Sequence, residues 1–399
     1  MRAIRPSLSS CCTALALLSA IPTMTQAHPV PSGLRLERVV MVMRHGVRAP
    51  LSGEVPVTTR TAQPWPNWPV PEGQLTPHGA SAIELLARHD RRWLASLALT
   101  RCPAAATVRI WTNTASRTIA SGEAYAQGFA PDCRLTVGHL AEDRTDPIFE
   151  PLAADATAFS PSQAIASIDR YTGGMAALVA RHRPALALLD TVLGCGHGAC
   201  SPVDPPSLVA STDRRGIELS GPIRAASGIA QVLLLEDSEG MPRRAVGWGR
   251  ADPATIARLG ALHAALFDVF TRSPYMAAHQ ASPLGHRIID TLTAARAPRL
   301  DVMIGHDTNV TALAAALHVA LDAPGFARND VAPGGAIVIE RLRDPRSGER
   351  FVRLYYRVQS LAAIRALRPE VIATPLAVPG CAAPCRLDRF VAVLKSRIA

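Results

Sequence analysis

One apolar run that ends abruptly in charge constrains the fold of this chain more than any other feature. The run, Val39 to Met43, has the length and the β-branched content of a buried strand, and it stops at Arg44, His45 and Gly46. A second arginine, Arg48, follows closely. Guanidinium groups stay charged at biological pH and match phosphate or carboxylate oxygens in pairs. A histidine held between two of them is therefore placed to meet an anion.

The alternative interpretation of this stretch is a surface loop with two solvated arginines and an incidental histidine. Short motifs of this kind occur easily by chance. Three features together favour a functional site over a loop: the position at a strand end, the second arginine, and a glycine that lets the backbone turn close to a ligand.

The first 27 residues differ in character from the rest of the chain. Arg2 and Arg5 form a basic start, the apolar stretch from Cys11 to Ile21 is too short to span a bilayer, and Thr25-Gln26-Ala27 resembles a cleavage site. This pattern predicts a secretory signal peptide over residues 1–27, in preference to a buried N-terminal helix. We therefore expect a periplasmic or secreted protein that is soluble and has no membrane partner after signal cleavage.

The charge of the chain favours anionic partners but not nucleic acids. Removal of the predicted signal peptide takes away two arginines, which lowers the formal net charge of +10 to +8. Lys395 is the sole lysine, and the arginines are scattered along the sequence. Aromatic residues, which would stack on bases, make up only 5% of the chain. We therefore expect a small anionic partner and no nucleic-acid partner.

The cysteines favour disulfide bonds. An even number in an exported protein is typical of disulfides, although six cysteines allow 15 pairings and spacing alone does not choose among them. A zinc site is the competing interpretation, but neither close pair has a second Cys/His pair at ligand spacing. The six cysteines of the mature chain are Cys195 and Cys200, Cys381 and Cys385, which are natural local loops, and the remaining Cys102 and Cys133.

Strand and helix patterns alternate at both ends of the chain and enclose a mostly helical middle. After the first strand, strand patterns recur at residues 107–111, 299–304, 336–342 and 351–358. Helical patterns follow Thr76 and Asn113 and cover residues 164–193, 223–236, 253–271 and 285–295. This order predicts an α/β fold, with a central, mostly parallel sheet sandwiched by helices and a second, smaller helical cap domain inserted. We place the core domain at residues 28–132 and 251–399 and the cap at 133–250.

A second cluster of ionisable residues follows a later strand pattern. Gly305, His306 and Asp307 come directly after the strand at 299–304 and open another helix. The alternative is that Asp307 merely caps that helix, which is the commoner role of aspartate there. Arg117 also lies just beyond a predicted strand end, where α/β sheets usually contact ligands. Two strand-end clusters in one chain favour a shared site.

At this point the sequence resembles the histidine acid phosphatases. The segments RHGVRAP (44–50) and GHDTN (305–309) match the two signature motifs of that family, and further similarity occurs at 68–79, 116–128, 240–250 and 332–341. The resemblance covers nearly the whole mature chain and is strongest to the exported bacterial subgroup that contains phytases and glucose-1-phosphatases. It implies an α/β domain with a helical domain, no metal or other cofactor, and an acidic optimum. It also implies a small-molecule phosphate monoester as partner, and we expect a monomer.

The resemblance also implies a role for each residue of the two motifs. His45 would be the nucleophile and form a phosphohistidine, and Asp307 would protonate the leaving alcohol. A neutral imidazole can attack, and arginine supplies charge to the phosphoryl oxygens without having to titrate. The side chains that would hold those oxygens are Arg44, Arg48, Arg117 and His306.

The sequence favours phytate as the substrate over glucose 1-phosphate or other sugar phosphates. Leu51 is typical of the glucose-1-phosphatase type, whereas the triplets at 45–47 and 307–309 are typical of phytases. The pair Arg243 and Arg244 fits either a polyphosphorylated substrate or a solvated surface. Two other classes remain as alternatives: a non-catalytic anion-binding protein of the same fold, and a phosphoryl-transferring mutase. The signal peptide and the pair His306 and Asp307 disfavour the mutase.

Overall fold

The fold of the chain is given by a computed structural model that describes residues 30–196, 198, 200–201 and 204–399. The predicted signal peptide, residues 1–27, lies outside this range. The strands are β1 Arg35–Arg44, β2 Val108–Thr112, β3 Val137–Gly138, β4 Ser207–Ala210, β5 Ile217–Ser220, β6 Leu300–Gly305, β7 Ala336–Arg343, β8 Arg350–Val358, β9 Ile372–Leu376 and β10 Cys385–Arg386. The α-helices are α1 Pro77–Trp93, α2 Ser116–Phe129, α3 Pro161–Thr172, α4 Met175–Leu193, α5 Pro222–Ser238, α6 Pro253–Phe267, α7 Pro274–Thr293, α8 Asp307–Ala316, α9 Leu361–Arg365 and α10 Leu387–Lys395.

The central sheet has eight strands in the order β10-β8-β7-β1-β6-β2-β3, and β9 pairs with β8. The strands β1, β6, β2 and β3 are parallel neighbours. The strand β7 runs antiparallel to β1, and β8 runs antiparallel to β7 and therefore in the direction of β1. Since only β7, β9 and β10 point the other way, the prediction of a mostly parallel sheet is confirmed.

The strand β1 lies in the middle of this sheet because it is apolar on both faces. Val40 and Val42 belong to one apolar core, whereas Val39, Met41 and Met43 belong to the other, and all five are fully buried. The alternation follows from the two-residue period of a strand. Helices α1 and α2 supply side chains to the second core, and α7, α8 and α10 supply the first. The predicted sandwich of helices around the sheet is thus confirmed.

Local signals set where several helices begin. The side chain of Thr76 accepts a hydrogen bond from the Gly79 N–H at 2.9 Å, and Pro77 occupies the first position of α1, as the sequence predicts. The predicted helix over 164–193 is instead two helices, because Gly173 and Gly174 adopt positive φ angles of 75° and 86° between them.

Other elements differ from the sequence-based predictions. The hairpin of β4 and β5 was not predicted, because each strand has only four residues and β4 is mostly exposed, although β5 alternates buried and exposed residues. The helix predicted from residue 285 begins earlier, at Pro274, since Pro283 inside α7 gives a false helix boundary in the sequence. The strand β9 was also missed; Pro375 lies within it, as edge strands allow.

The division into a core and a cap at residues 133 and 250 stays a prediction. At its first boundary the sheet reaches further than expected: Val137 of β3 pairs with Ile110 of β2. Within the predicted cap range, α5 lies against the loop that follows β1. A Cβ atom on Gly228 would stand 2.0 Å from the Glu54 carbonyl oxygen, so only glycine fits there. This contact brings α5 to the edge of the sheet.

Three disulfide bonds link the cysteines in the pairs that the sequence favours. One joins the segment before β2 to the segment after α2, and the other two close short local loops. Cross-links of this kind stabilise a fold mainly by constraining the unfolded chain. The bonds are Cys102–Cys133, Cys195–Cys200 and Cys381–Cys385.

One helical stretch among the described residues, Pro253–Arg272, is long and apolar enough to cross a membrane when judged by length and composition alone. Half of that stretch is buried inside the molecule. It contains α6, which packs against α4 and α5. Core helices of soluble proteins have the same composition.

Candidate active site

The two sequence motifs meet at one edge of the sheet. Because β1 and β6 are parallel neighbours, Arg44 stands opposite Gly305 in the register. The His45 N–H donates to the Gly305 carbonyl at 3.0 Å, and the rings of His45 and His306 lie 5.6 Å apart between centroids. Arg117, in the first turn of α2 just after β2, reaches the same edge. The carboxyl ends of three parallel strands thus gather the residues that the sequence singles out.

A cavity of about 300 Å³ opens at this edge. Five of the six predicted active-site residues line it, and the sixth, Arg44, lies behind them with no exposed surface. The loop after β1 forms one side and α5 forms another. The lining residues are His45, Arg48, Leu51, Ser52, Gly53, Glu54, Arg117, Arg224, Ser227, Gly228, Gln231, His263, Leu266, His306, Asp307 and Thr308.

His45 is held as a neutral imidazole with one nitrogen free. Its Nδ1 lies 2.8 Å from the carbonyl oxygen of Gly46, which can only accept, so Nδ1 carries the proton and Nε2 keeps its lone pair. Burial lowers the pKa of His45 well below its ordinary value, and the nearby charges of Arg117, Arg44 and Arg48 lower it further. The ring is therefore neutral even in mild acid, with Nε2 as its nucleophilic nitrogen.

Two arginines of the first motif are bound by protein acceptors. Arg44 donates through Nη2 to Gln231 Oε1 at 3.0 Å, and the same nitrogen lies 3.0 Å from Asp307 Oδ2. Arg48 forms a two-pronged ion pair with Glu54, in which Nη1 donates to Oε2 at 3.0 Å and Nη2 donates to Oε1. These contacts fix both guanidinium groups before any ligand arrives.

A chain of hydrogen bonds orients His306 and Arg117. Asn113 donates through Nδ2 to Glu150 at 3.2 Å, which leaves its Oδ1 to accept from His306 Nε2 at 3.0 Å. His306 Nδ1 then accepts from Arg117 Nη2 at 3.4 Å. Burial and the charge of Arg117 lower the pKa of His306 to about 3, so that this ring is neutral. Burial and the charge of Arg48 lower the pKa of Arg117 to about 10, and it remains a cation.

Asp307 opens α8 and is the acidic group of the second motif. Burial by itself would raise the pKa of Asp307, but Arg44, His263, His306 and Arg48 together hold it well below its ordinary value. Without a bound anion the carboxyl group is therefore ionised and paired with Arg44. An anion beside it would oppose the charges of Arg44 and Arg48 and raise the pKa of Asp307.

A buried histidine that the sequence did not single out lies behind Asp307. His263, in α6, places Nε2 at 3.8 Å from Asp307 Oδ2, and its Nδ1 is 2.8 Å from Asp330 Oδ1. In the sequence it is a lone histidine on an apolar helix, which indicates an ordinary core residue. Asn113 was missed too, although its position directly after β2 was a usable signal.

Neither Arg243 nor Arg244 is among the described residues that line the cavity. Arg243 is half exposed and forms an ion pair with Asp237, so it belongs to the surface. In the described part of the chain, no three or more His, Cys, Asp or Glu side chains gather as metal ligands would. The predicted active-site residues that gather at this edge are thus three arginines, two neutral histidines and one aspartate.

Comparisons with known proteins agree with this geometry. Residues 35–167 match the family model of the histidine phosphatase superfamily (branch 2). Phytase AppA of Escherichia coli (strain K12) is 33% identical over 92% of this chain and 91% of its own length. The glucose-1-phosphatase of Salmonella typhimurium is 28% identical over 93% of this chain and 94% of its own length.

Solved structures show the same similarity. The phytase of Hafnia alvei in complex with tartrate superposes with a TM-score of 0.85 at 29% identity, over 93% of this chain and 98% of that chain. The phytase of Citrobacter braakii superposes with a TM-score of 0.84 at 28% identity, over 92% and 98%. With strand-end histidines and arginines around one cavity, and relatives along nearly its whole length, this chain belongs to branch 2 of the histidine phosphatase superfamily and is a phosphoric monoester hydrolase.

Proposed function

We propose that this enzyme is an exported acid phosphatase that hydrolyses phytate, myo-inositol hexakisphosphate, through a phosphohistidine at His45. The observation that carries the proposal is a neutral imidazole with a free Nε2, surrounded by the guanidinium groups of Arg44, Arg48 and Arg117. We further propose that the protein acts as a monomer in the periplasm or outside the cell, in keeping with its three disulfides.

In the first step, His45 Nε2 attacks the phosphorus atom of the ester. The N–P bond forms as the P–O bond to the alcohol breaks, and Asp307 gives its proton to the departing oxygen. Negative charge on the other phosphoryl oxygens is stabilised by the three arginines. Neutral His306 donates to Asn113 and accepts from Arg117, and it thereby holds Arg117 in place. The products of this step are the free alcohol and phosphohistidine.

In the second step, water displaces the histidine. The ionised carboxylate of Asp307 takes a proton from the attacking water, the N–P bond breaks, and inorganic phosphate leaves. The imidazole then returns to its neutral form, held by the Gly46 carbonyl. The same carboxyl group serves as acid in one step and as base in the other.

In this mechanism Asp307 takes up its proton when the substrate binds. In the free enzyme Arg44 keeps this carboxyl group ionised. A phosphate monoester between the arginines neutralises their charge and adds negative charge beside Asp307, and both effects raise its pKa. Since the acid form is needed, kcat is expected to fall as the pH rises through the pKa of Asp307 in the complex.

Two observations bear on the substrate. The relatives named above are phytases and a glucose-1-phosphatase, and the chain is similar to both kinds along more than nine tenths of its length. Leu51 lines the cavity, and leucine here resembles the glucose-1-phosphatase type. Glucose-1-phosphatase activity is therefore the second candidate function, together with broader sugar-phosphate hydrolysis.

A substrate panel tests the proposal. Phosphate release from phytate, glucose 1-phosphate and p-nitrophenyl phosphate would be measured between pH 3 and 8 and compared by kcat/KM. We expect all three to be hydrolysed in acid, with phytate preferred. Preference for glucose 1-phosphate would replace phytase by the second candidate, and no release from any ester would indicate a non-catalytic anion-binding protein.

Trapping the intermediate tests the mechanism separately. The enzyme would be mixed rapidly with substrate and quenched in alkali, in which phosphohistidine survives better than in acid. Mass spectrometry of the peptide that contains His45 is expected to show one added phosphoryl group. A phosphoryl group found only on another residue would contradict the assignment of the nucleophile.

A further inference from the structure

One face of helix α5 forms the wall of the cavity opposite the strand ends. Arg224, Ser227, Gly228 and Gln231 all line the cavity. Their spacing of three, one and three residues places them on one side of a helix, on successive turns. The rest of α5 is packed in the apolar core. An otherwise buried helix thus presents a row of polar groups to the substrate.

Several donors of this row lack protein partners, although Gln231 Oε1 accepts from Arg44 at 3.0 Å. Ser227 Oγ and Gln231 Nε2 have no hydrogen-bond partner among the described residues, although these side chains are only 1% and 2% exposed. A buried donor without an acceptor opposes folding unless a ligand or water satisfies it. Arg224 is exposed and, within the described part of the chain, forms no ion pair, unlike Arg48 across the cavity.

Arg224 also lies at a junction between two cavities. Besides the active-site cavity, it lines an open groove of about 770 Å³ formed by β5, the start of α5 and the loop after β1. Gly53 is likewise shared by both. The acidic side chain of the groove is Asp204, and Thr58 and Ser220 add hydroxyl groups. A substrate larger than one phosphate monoester therefore has room beyond Arg224.

From this placement we propose that Arg224, with the Ser227 hydroxyl one turn away, binds a second phosphoryl group of the substrate while the first is attacked by His45. A guanidinium group pairs with phosphate oxygens in a two-pronged, charge-assisted contact, and a serine hydroxyl donates to the same kind of acceptor. The inference rests on the proposed function and deepens it, because it makes Arg224 the residue that selects polyphosphorylated over singly phosphorylated esters.

Matched substrates isolate this contact. Glucose 1,6-bisphosphate differs from glucose 1-phosphate only in the second phosphoryl group, so the ratio of their kcat/KM values reports that group alone. In Arg224→Ala this ratio is expected to fall about tenfold, as the loss of one charge-assisted contact predicts. In Arg224→Lys, which keeps the charge without the planar fork, an intermediate ratio is expected. Arg244→Ala, which removes an exposed arginine outside the cavity, is the control and should keep the wild-type ratio.

A non-hydrolysable probe separates binding from chemistry. Myo-inositol hexakis sulfate would be titrated as an inhibitor of p-nitrophenyl phosphate hydrolysis. Its inhibition constant is expected to rise about tenfold in Arg224→Ala and less in Ser227→Ala. For the wild type, the inhibition constant is expected to rise when salt is added, because Arg224 is exposed. An unchanged constant in Arg224→Ala would remove this residue from the site.

The outcomes distinguish this inference from the proposed function. If the wild type prefers the bisphosphate and loses that preference in Arg224→Ala, but does not hydrolyse phytate, phytate is the wrong substrate and the subsite stands. If phytate is hydrolysed and the ratio is the same in wild type and Arg224→Ala, the subsite is wrong and phytase activity stands. An equal fall in Arg244→Ala would indicate a general charge effect and overturn the assignment.

Discussion

The two walls of the active-site cavity satisfy their polar groups differently. On the strand-end wall, the Gly46 carbonyl binds His45 and Glu54 binds Arg48, so both of these side chains have a protein partner before the substrate arrives. On the α5 wall, Ser227 and Arg224 have no such partner among the described residues. In the proposed mechanism, the first wall meets the phosphoryl group, which is the same in every ester, whereas the second meets the alcohol, which varies. We infer that the fixed contacts of the strand-end wall position the phosphoryl group for reaction, whereas the unpaired donors of the α5 wall select the alcohol.

The largest expected effect comes from the strand-end wall. His45→Ala removes the nucleophile, so kcat is expected to fall by roughly a thousandfold or more on every substrate, as with nucleophiles of other enzymes. Because the loss does not depend on the alcohol, phytate and p-nitrophenyl phosphate should suffer alike. Circular dichroism and thermal unfolding would show that the fold is intact. Substantial residual turnover in a folded variant would refute the role of His45.

A smaller and substrate-dependent effect is expected for Asp307→Asn. The amide cannot protonate a leaving alcohol, so esters with poor leaving groups should slow about a hundredfold, whereas p-nitrophenyl phosphate, whose phenolate leaves unaided, should slow much less. The alkaline fall of kcat that reports this carboxyl group should also disappear. Equal losses on both kinds of ester would argue against general acid catalysis. The comparison of the walls predicts a different pattern for Arg224→Ala. Its effect should depend on whether the ester has a second phosphoryl group and not on the leaving oxygen.

The smallest effect on activity is expected on the far side of α5, where Glu236 is fully buried and should affect stability instead. Burial raises the pKa of Glu236 to about 8, and the hydrogen bond from the Gly247 N–H only partly opposes this. A carboxyl group with a raised pKa in the folded state stabilises fully below its unfolded pKa, and that contribution is lost as the pH rises towards 8. Glu236→Gln should therefore flatten the fall in unfolding free energy between acid and neutral pH, by on the order of 3 kcal/mol.

Denaturant unfolding at several pH values would measure this effect. The ratio of kcat/KM values for glucose 1,6-bisphosphate and glucose 1-phosphate serves as the control, because Glu236 does not line the cavity in the described residues. A change in that ratio would show that the two faces of α5 are coupled. If the free energy of unfolding depended on pH in the same way in Glu236→Gln and in the wild type, ionisation of Glu236 would not destabilise the fold.

The strand-end wall was largely predictable from sequence. The apolar runs before Arg44 and before Gly305 mark buried strands, and parallel neighbours bring their carboxyl ends together. The identity of the first wall thus follows from two short motifs. Glu54 was missed because nothing in a loop sequence reveals which arginine a carboxylate will bind.

The α5 wall was not predictable in the same way. Ser227 and Gln231 are isolated polar residues in an apolar helix. Their significance comes from buried donors, Ser227 Oγ and Gln231 Nε2, that have no partner among the described residues, which is a property of tertiary packing. The sequence instead drew attention to Arg243, which binds Asp237 at the surface. Burial and pairing decide which of several arginines serves the substrate.

The position of β1 in the sheet has a consequence for the synthesis of the enzyme. The central strand β1 precedes both of its partners in the chain, since they begin only at Leu300 and Ala336. In the proposed mechanism, a nascent chain therefore contains the nucleophile, His45, long before the proton donor, Asp307, is synthesised. A polypeptide that stops before β6 would hold His45 without its proposed proton donor.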